Sequence, residues 1–306
     1  VVSVASGASV VIESVNNPRV REYRECVGKG IPGTVPLEGV RLVRDALAAG
    51  VRFSALYVTK SALPGPGEDG GAVQEVIDGA RAAGTPVFVV SDRVGHSMGA
   101  TMTPQGVFAL ARWAPAPARE VIQWIEHRRT EMSRFAVLLD GVQDPGNVGA
   151  IIRTAAALGA SAIIAGAETA DPASPKVIRA SMGAMFRVAV GKEPDLPGLI
   201  RWAKARGFFI IGSDAAPEGS LTLEDLDWPP QSSHAEGVTG VGATSAGHLA
   251  MLVIGSEAHG VSAQCLEQCD RLVHIPMARE VESLNAASAA AIIIYAMGRA
   301  ASRFCG

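Results

Sequence analysis

The sequence predicts an α/β protein in two parts, a smaller N-terminal α/β domain and a C-terminal domain built on a mostly parallel sheet with helices on both faces. Three observations predict this. Short apolar runs alternate with helix-period stretches along the chain, which is the pattern of strands joined by crossovers. The C-terminal runs FAVLLD, SAIIAG, FFIIGS and LAMLVIG are apolar almost throughout, as strands covered on both faces must be. Between them and the N-terminal part, the prolines and alanines of RWAPAPARE break the rhythm, and the residue before a proline is driven out of the helical region.

The elements follow in order. In residues 1–112, Leu42 to Leu47 reads as helix, Phe53 to Lys60 as strand, VQEVIDGARAAG as helix, and Pro86 to Ser91 and Val107 to Arg112 as strands. LPGPGEDGG, at 63–71, is turn chemistry and reads as an exposed loop. Residues 113–133 read as a linker. In residues 134–306, Phe135 to Asp140 is the first buried strand, and GAIIRTAAALGA a helix ending at Gly159. SAIIAG is the next strand. RWAKARG is a helix leading into the strand Phe208 to Ser213, and Leu249 to Glu257 is another buried strand. RLVHIPM is a short strand, and LNAASAAAIIIYAMGRAASRF the closing helix. The Gly- and Ser-rich stretch from Ser232 to His248 reads as a surface loop.

Composition narrows the function. A length of 306 residues with 48% hydrophobic content supplies a sizeable core. The most apolar stretch, Ala286 to Met297, is too short to span a bilayer, so no membrane partner is expected. The opening VVSVASGASVVIES lacks the basic segment of a secretory signal, so Cys26, Cys265, Cys269 and Cys305 are expected as reduced cytoplasmic thiols. Cys265 and Cys269 lie one helical turn apart, with no histidine or cysteine group completing a metal-ligand spacing. A formal net charge of -3 argues against a simple electrostatic clamp on nucleic acid; an RNA role would rest on local charge and shape. No Walker A sequence and no GxGxxG fingerprint is present, which disfavours a nucleotide hydrolase and a dinucleotide oxidoreductase.

Ligands of parallel sheets bind beyond the carboxyl ends of the strands, and three segments bring polar and glycine residues there. In DGVQDPGNVGAIIR, Asn147 stands at the start of a helix, and Arg153 needs a partner or a route to solvent in an otherwise apolar helix. In VIGSEAHGV, Gly255 would let backbone approach a ligand, and Ser256, Glu257 and His259 follow the strand. In HIPMAREVESLNAASAAA, Ser283 or Asn285 would cap an almost wholly apolar helix. Ordinary caps, a snorkelling arginine and a solvated acid would account for each segment singly.

Taken in order and spacing, DPGNVGAIIRTA, LVIGSEAHGV and IPMAREVESLNAASAAAIIIYA resemble the SpoU (TrmH-like) family of RNA ribose methyltransferases. SPKVIRASMGAMFRVAV resembles the family's S-x-G-A-x-F segment. VNNPRVREYREC, LEGVRLVRDAL and PQGVFALA resemble the small domain that precedes the catalytic domain in many members. The resemblance covers nearly the whole chain. It implies a trefoil-knotted C-terminal domain, an N-terminal L30e-like RNA-binding domain, S-adenosylmethionine as the cofactor without a metal, and a cytoplasmic homodimer.

Carried over by residue, the resemblance implies that Gly255, Ile275 and Leu284 hold the adenosine part through their backbone, with Ser256, Met277 and Glu257 close by. It implies that Asn147 and Arg153 face the ribose and its phosphate, and that Ser283 and Asn285 fix the cofactor's methionine end. Arg153 is the family's proposed base, but a guanidinium stays protonated, so a role in orienting the ribose and relaying its proton fits better. Two departures stand out. Ser256 and Ala258 replace the usual Asn and Gly of the second segment, and Arg279 replaces a usual Gly of the third, where it would reach RNA phosphate or reshape the pocket edge.

Residues 1–110 carry ten basic and ten acidic side chains, so RNA contact there would fall to Arg19, Arg21, Arg24 and Lys29, although Glu22 and Glu25 interleave with them. Large-subunit ribosomal RNA is the expected substrate, and the resemblance extends to members that protect a ribosome from an antibiotic. Transfer RNA and a catalytically silent RNA-binding role are the alternatives.

Overall fold

Tertiary contacts divide the chain into two units, residues 1–114 with 173–186, and residues 115–172 with 187–306. The structure, a computed structural model, describes residues 11–65, 71–100, 104–127, 134–213, 220–223, 225, 249–278 and 284–303.

In the first unit the elements are α1 (Pro18–Lys29), β1 (Thr34–Glu38), α2 (Val40–Ala48), β2 (Phe53–Thr59), α3 (Gly71–Ala82), β3 (Val87–Val90), α4 (Asp92–Met98) and β4 (Val107–Arg112). The sheet order is β1-β4-β2-β3, with β4 antiparallel to β1 and β2, and β3 parallel to β2. Helix α1 starts where Asn17 accepts from Arg19 N–H and Pro18 occupies the first turn. It buries Val20, Tyr23 and Cys26. Tyr23 stands edge-on to Tyr57 and Phe108, with centroids 5.9 and 5.6 Å away. Both buried phenols are satisfied, Tyr23 donating to Leu37 O at 3.1 Å and Tyr57 to Arg19 O at 2.9 Å.

The second unit begins with β5 (Ala116–Pro117) and α5 (Ala118–His127), continues through β6 (Arg134–Asp140), α6 (Pro145–Ala157) and β7 (Ala162–Ala165), and is then interrupted by α7 (Pro175–Ser181). Helix α7 belongs to the first unit and packs on β1. The second unit resumes with β8 (Ala189–Lys192), α8 (Leu196–Lys204), β9 (Phe209–Ser213), β10 (Leu221–Thr222), β11 (Leu249–Gly255), α9 (Ala263–Leu266), β12 (Arg271–His274) and α10 (Ala286–Arg303). Its sheet has the order β10-β12-β9-β11-β6-β7-β8-β5, and every pairing in it is parallel.

The pleat sorts the strand residues. Ala136 and Leu138 of β6 join a core with α5 and α8. Val137 and Leu139, also buried, lie outside that cluster, as alternation along a strand requires. Helices α6 and α10 pack on each other, with contacts to β7 and β11. The central strands β6, β7 and β11 are therefore covered on both faces, which explains their near-continuous apolar runs.

The structure departs from the expected boundaries in the stretch read as a linker, 113–133. Residues 115–127 form β5 and α5 within the second unit. The burial of Ala118, Val121, Ile122 and Ile125 follows a helical spacing that the neighbouring prolines obscure in the sequence. The segment 173–186, which the sequence assigns to the C-terminal domain, groups with the first unit. Helix α4 has no counterpart among the sequence expectations, because DRVGHSM carries an interior glycine. Gly95 is fixed by packing, since a Cβ there would run into the Thr59 side chain. The loop expected at 232–248 and most of its flanks lie outside the described residues.

Candidate active site

Strands β6, β11 and β12 run in one direction, so their carboxyl ends open on one edge of the sheet. At the end of β6, Asp144 caps α6 by accepting from Asn147 N–H at 2.9 Å, with Pro145 in the first turn. This cap sets Asn147 in the first turn of α6, half-buried. The Asn147 side-chain amide then joins three segments that are remote in sequence. Its Nδ2 donates to Glu257 Oε1, and its Oδ1 accepts from Asn285 Nδ2 at 3.0 Å. Asn285 Oδ1 in turn accepts from Ala287 and Ser288 N–H at 2.9 and 3.3 Å, capping α10. The three segments singled out in the sequence therefore meet in one hydrogen-bond chain, running from a carboxylate through two amides to a helix N-terminus.

The loop after β11 is folded back on itself. Ser256 and Gly260 exchange two backbone hydrogen bonds of 3.0 Å each, and Ser256 Oγ accepts from His259 N–H at 3.1 Å. This adds a second requirement at Gly255. The absent side chain there makes room for the chain itself, because a Cβ on Gly255 would overlap the Gly260–Val261 peptide. Glu257, Ala258 and His259 are exposed along the loop. Ile275 and Met277, which follow β12, are half-buried, and Leu284 keeps 36% of its surface exposed although apolar.

Arg153 is exposed on α6, which supplies the solvent route its apolar helix required. Six residues beyond Asn147, it stands about 240° around the helix and about 9 Å further along it. Ser283 and Arg279 lie outside the described residues. Arg19, Arg21, Arg24 and Lys29 are exposed on α1 in the first unit, where Arg19 pairs with Glu22 at 3.5 Å and Lys29 with Glu25 at 3.9 Å. In the S-x-G-A-x-F segment, Met182 and Gly183 end α7 with positive φ of 50° and 82°, and a Cβ on Gly183 would stand 2.9 Å from Asp45 Oδ2.

Two polar residues at the same edge escape a reading of the sequence. Asp140, the last residue of β6, accepts from Ser262 N–H at 2.8 Å. Thr169 is buried; its hydroxyl donates to Leu139 O at 2.7 Å and accepts from Gly141 N–H at 3.2 Å, holding the start of the loop that leads to Asn147. An acid closing an apolar strand is a visible signal for Asp140; Thr169 in AETAD gives none. Cys265 and Cys269 are free thiols, and burial pushes their pKa up to about 11 and about 12.

Residues 134–295 match the SpoU rRNA Methylase family, and residues 36–115 match the family described as RNA 2′-O ribose methyltransferase substrate binding. Among similar proteins, an uncharacterized tRNA/rRNA methyltransferase of Mycobacterium bovis is 30% identical, with 92% of this chain and 88% of that protein aligned. The 23S rRNA (guanosine(2553)-2′-O)-methyltransferase RlmP of Bacillus subtilis is 28% identical over 93% of this chain and 97% of its own length. The crystal structure of an AdoMet-bound rRNA methyltransferase from Sinorhizobium meliloti superposes with a TM-score of 0.75 at 28% identity, covering 94% of this chain and 98% of that one.

Proposed function

Because the chain belongs to the SpoU rRNA methylase family, we propose that it transfers a methyl group from S-adenosylmethionine to a ribose 2′-hydroxyl of large-subunit ribosomal RNA. The observation that carries this reading is the meeting of Asn147, Glu257 and Asn285 at the carboxyl edge of the parallel sheet. A similar protein spanning nearly the whole chain acts on a 23S rRNA guanosine, which supports the choice of RNA.

The residues at that edge suit the cofactor. Ile275, Met277 and the exposed Leu284 offer apolar surface for a purine, and the backbone from Gly255 to Glu257, with Ser256 between, offers polar groups beside it. The bound cofactor supplies a methyl group already activated on a sulfonium, so the chain's task is to bind, align and manage one proton. Glu257 and Asn147 hold the loop after β11 and the start of α6 in mutual register, while Ser283 and Asn285 serve the methionine end. Arg153, on α6, orients the ribose and its phosphate and relays the hydroxyl proton. Arg279 reaches RNA phosphate, and Arg19, Arg21, Arg24 and Lys29 contribute contacts from the first unit.

The reading includes a trefoil knot formed by the C-terminal segment and a cytoplasmic homodimer built on α10. On that helix Ser288, Ile292, Tyr295 and Arg299 are exposed at a helical spacing. Ile292 and Tyr295 leave 42% and 52% of their surface open, and the Arg299 guanidinium lies 5.9 Å over the Tyr295 ring. A second copy of this chain would cover that apolar stripe.

The test is transfer of tritiated methyl from S-adenosylmethionine to unmodified ribosomal RNA and, separately, to transfer RNA, followed by mapping of the labelled nucleotide. Label at one ribose of the large-subunit RNA is expected. Label confined to transfer RNA would overturn the substrate, and no transfer to either pool would leave an RNA-binding protein.

A further inference from the structure

We propose that Asp140 is a positioning residue for cofactor binding, its carboxylate clamping the folded-back loop 256–262 against the end of β6. The proposal rests on the methyltransferase reading and deepens it. Asp140 and Gly255 are register partners in the parallel pair β6–β11, so the carboxylate lies where the loop leaves the sheet. From there it accepts the Ser262 N–H at 2.8 Å. Ser262 is also the residue from which α9 starts, so the same contact fixes the entry to that helix. At its other end the loop is tied by the Glu257 contact to Asn147.

The loop is thus pinned at two points, and the pins differ. Asn147 holds the side chain at its tip, while Asp140 holds the backbone at its exit. Between them the Ser256–Gly260 hydrogen bonds keep the turn closed, and Gly255 allows the turn to lie on the strand end. Without Asp140 the exit of the loop loses a charge-assisted acceptor, and the backbone offered to the adenosine becomes free to move. A carboxylate accepting a backbone N–H forms one of the stronger hydrogen bonds available at a partly exposed position.

Titration calorimetry with S-adenosylmethionine on the full chain, joined to steady-state transfer to ribosomal RNA, tests this. Asp140→Ala should raise the cofactor Kd about tenfold, a change matching loss of one charge-assisted hydrogen bond, with the KM for RNA unchanged. Asp140→Asn keeps an oxygen acceptor and should stay within about threefold of the parent. Ser262→Pro removes the N–H from the other side, at a φ of -61° that proline adopts, and should raise the Kd as Asp140→Ala does even if that variant folds poorly. Ile122→Ala, a buried truncation in α5 of the same unit, supplies the comparison for destabilisation alone and should leave the Kd unchanged. Equal cofactor affinity in the parent, Asp140→Ala and Ser262→Pro would overturn the proposal. So would a loss in Ile122→Ala as large as that in Asp140→Ala. Failure of the parent chain to bind S-adenosylmethionine would instead overturn the methyltransferase reading, and this proposal with it.

Discussion

The strand-end edge of the second unit and the exposed face of α1 in the first are both rich in polar side chains, and they organise them in opposite ways. At the strand ends, Asn147 is hydrogen-bonded to partners 110 and 138 residues away in sequence. On α1, Arg19 and Lys29 meet acids three and four residues away on the same helix, on side chains 43% or more exposed. A long-range polar contact exists only when the fold is complete, so it defines a position to a fraction of an ångström. A pair within one helix requires only the helix, and exposed pairs of this kind are worth a few tenths of a kcal/mol. The contrast separates a region able to do chemistry from one able to attract.

Breaking the strand-end chain at its centre should have the largest effect. Asn147→Ala removes the donor to Glu257 and the acceptor of Asn285 together. Removing one charge-assisted and one neutral hydrogen bond, about 3 kcal/mol in sum, lowers kcat/KM for methyl transfer roughly a hundredfold. Asn147→Asp is a sharper version: it keeps the acceptor for Asn285 but sets two carboxylates against each other, and should do no better. If either variant retains activity near the parent's, the chain is a bystander and the contrast between the two regions fails.

Next comes Gly255→Ala. The added methyl overlaps the Gly260–Val261 peptide, and overpacking of backbone in this way costs about 1–3 kcal/mol. Thermal unfolding should show a lower midpoint, and cofactor affinity should fall with it. Glu257→Gln, which keeps size and an oxygen acceptor but removes the charge, should cost about tenfold in transfer. Neither residue is among the cations assigned to RNA, so RNA affinity should hold.

How much of this is legible in the sequence differs by region for the same physical reason. The buried strands of the second unit show as near-continuous apolar runs, and two of the three polar segments follow such strands, so FAVLLD-to-Asn147 and LAMLVIG-to-Glu257 can be placed without any coordinate. The hydrogen-bond chain itself cannot. Residues such as Asn147 and Asn285 gain meaning from partners brought together by tertiary structure, and Thr169 has no local mark at all. Helix α5 is hidden by the prolines before it, though Val121, Ile122 and Ile125 keep a helical spacing. The allegiance of 173–186 to the first unit is likewise invisible, since sequence order favours continuous domains. Gly255 carries a second meaning that the sequence does not show, since its missing side chain is also space for the chain itself.

The smallest effects belong to α1. Arg21 and Arg24 are exposed there, and Arg19 and Lys29 are already opposed by Glu22 and Glu25. If this face serves RNA, it does so through phosphate, and removing one such cation should flatten the salt dependence of binding by about 0.7–0.9 in the log–log slope. Arg21→Ala and Arg24→Ala should therefore each weaken RNA binding only two- to threefold, by the order of one exposed ionic interaction, with cofactor affinity and unfolding midpoint unchanged. Filter binding across a salt series reads the slope directly. A loss from either substitution as large as that from Asn147→Ala would mean that α1 holds its partner in a defined position, and the division between a chemical edge and an attracting face would have to be redrawn. An unaltered slope in the double variant would instead move RNA binding off α1 altogether, to another surface of the chain.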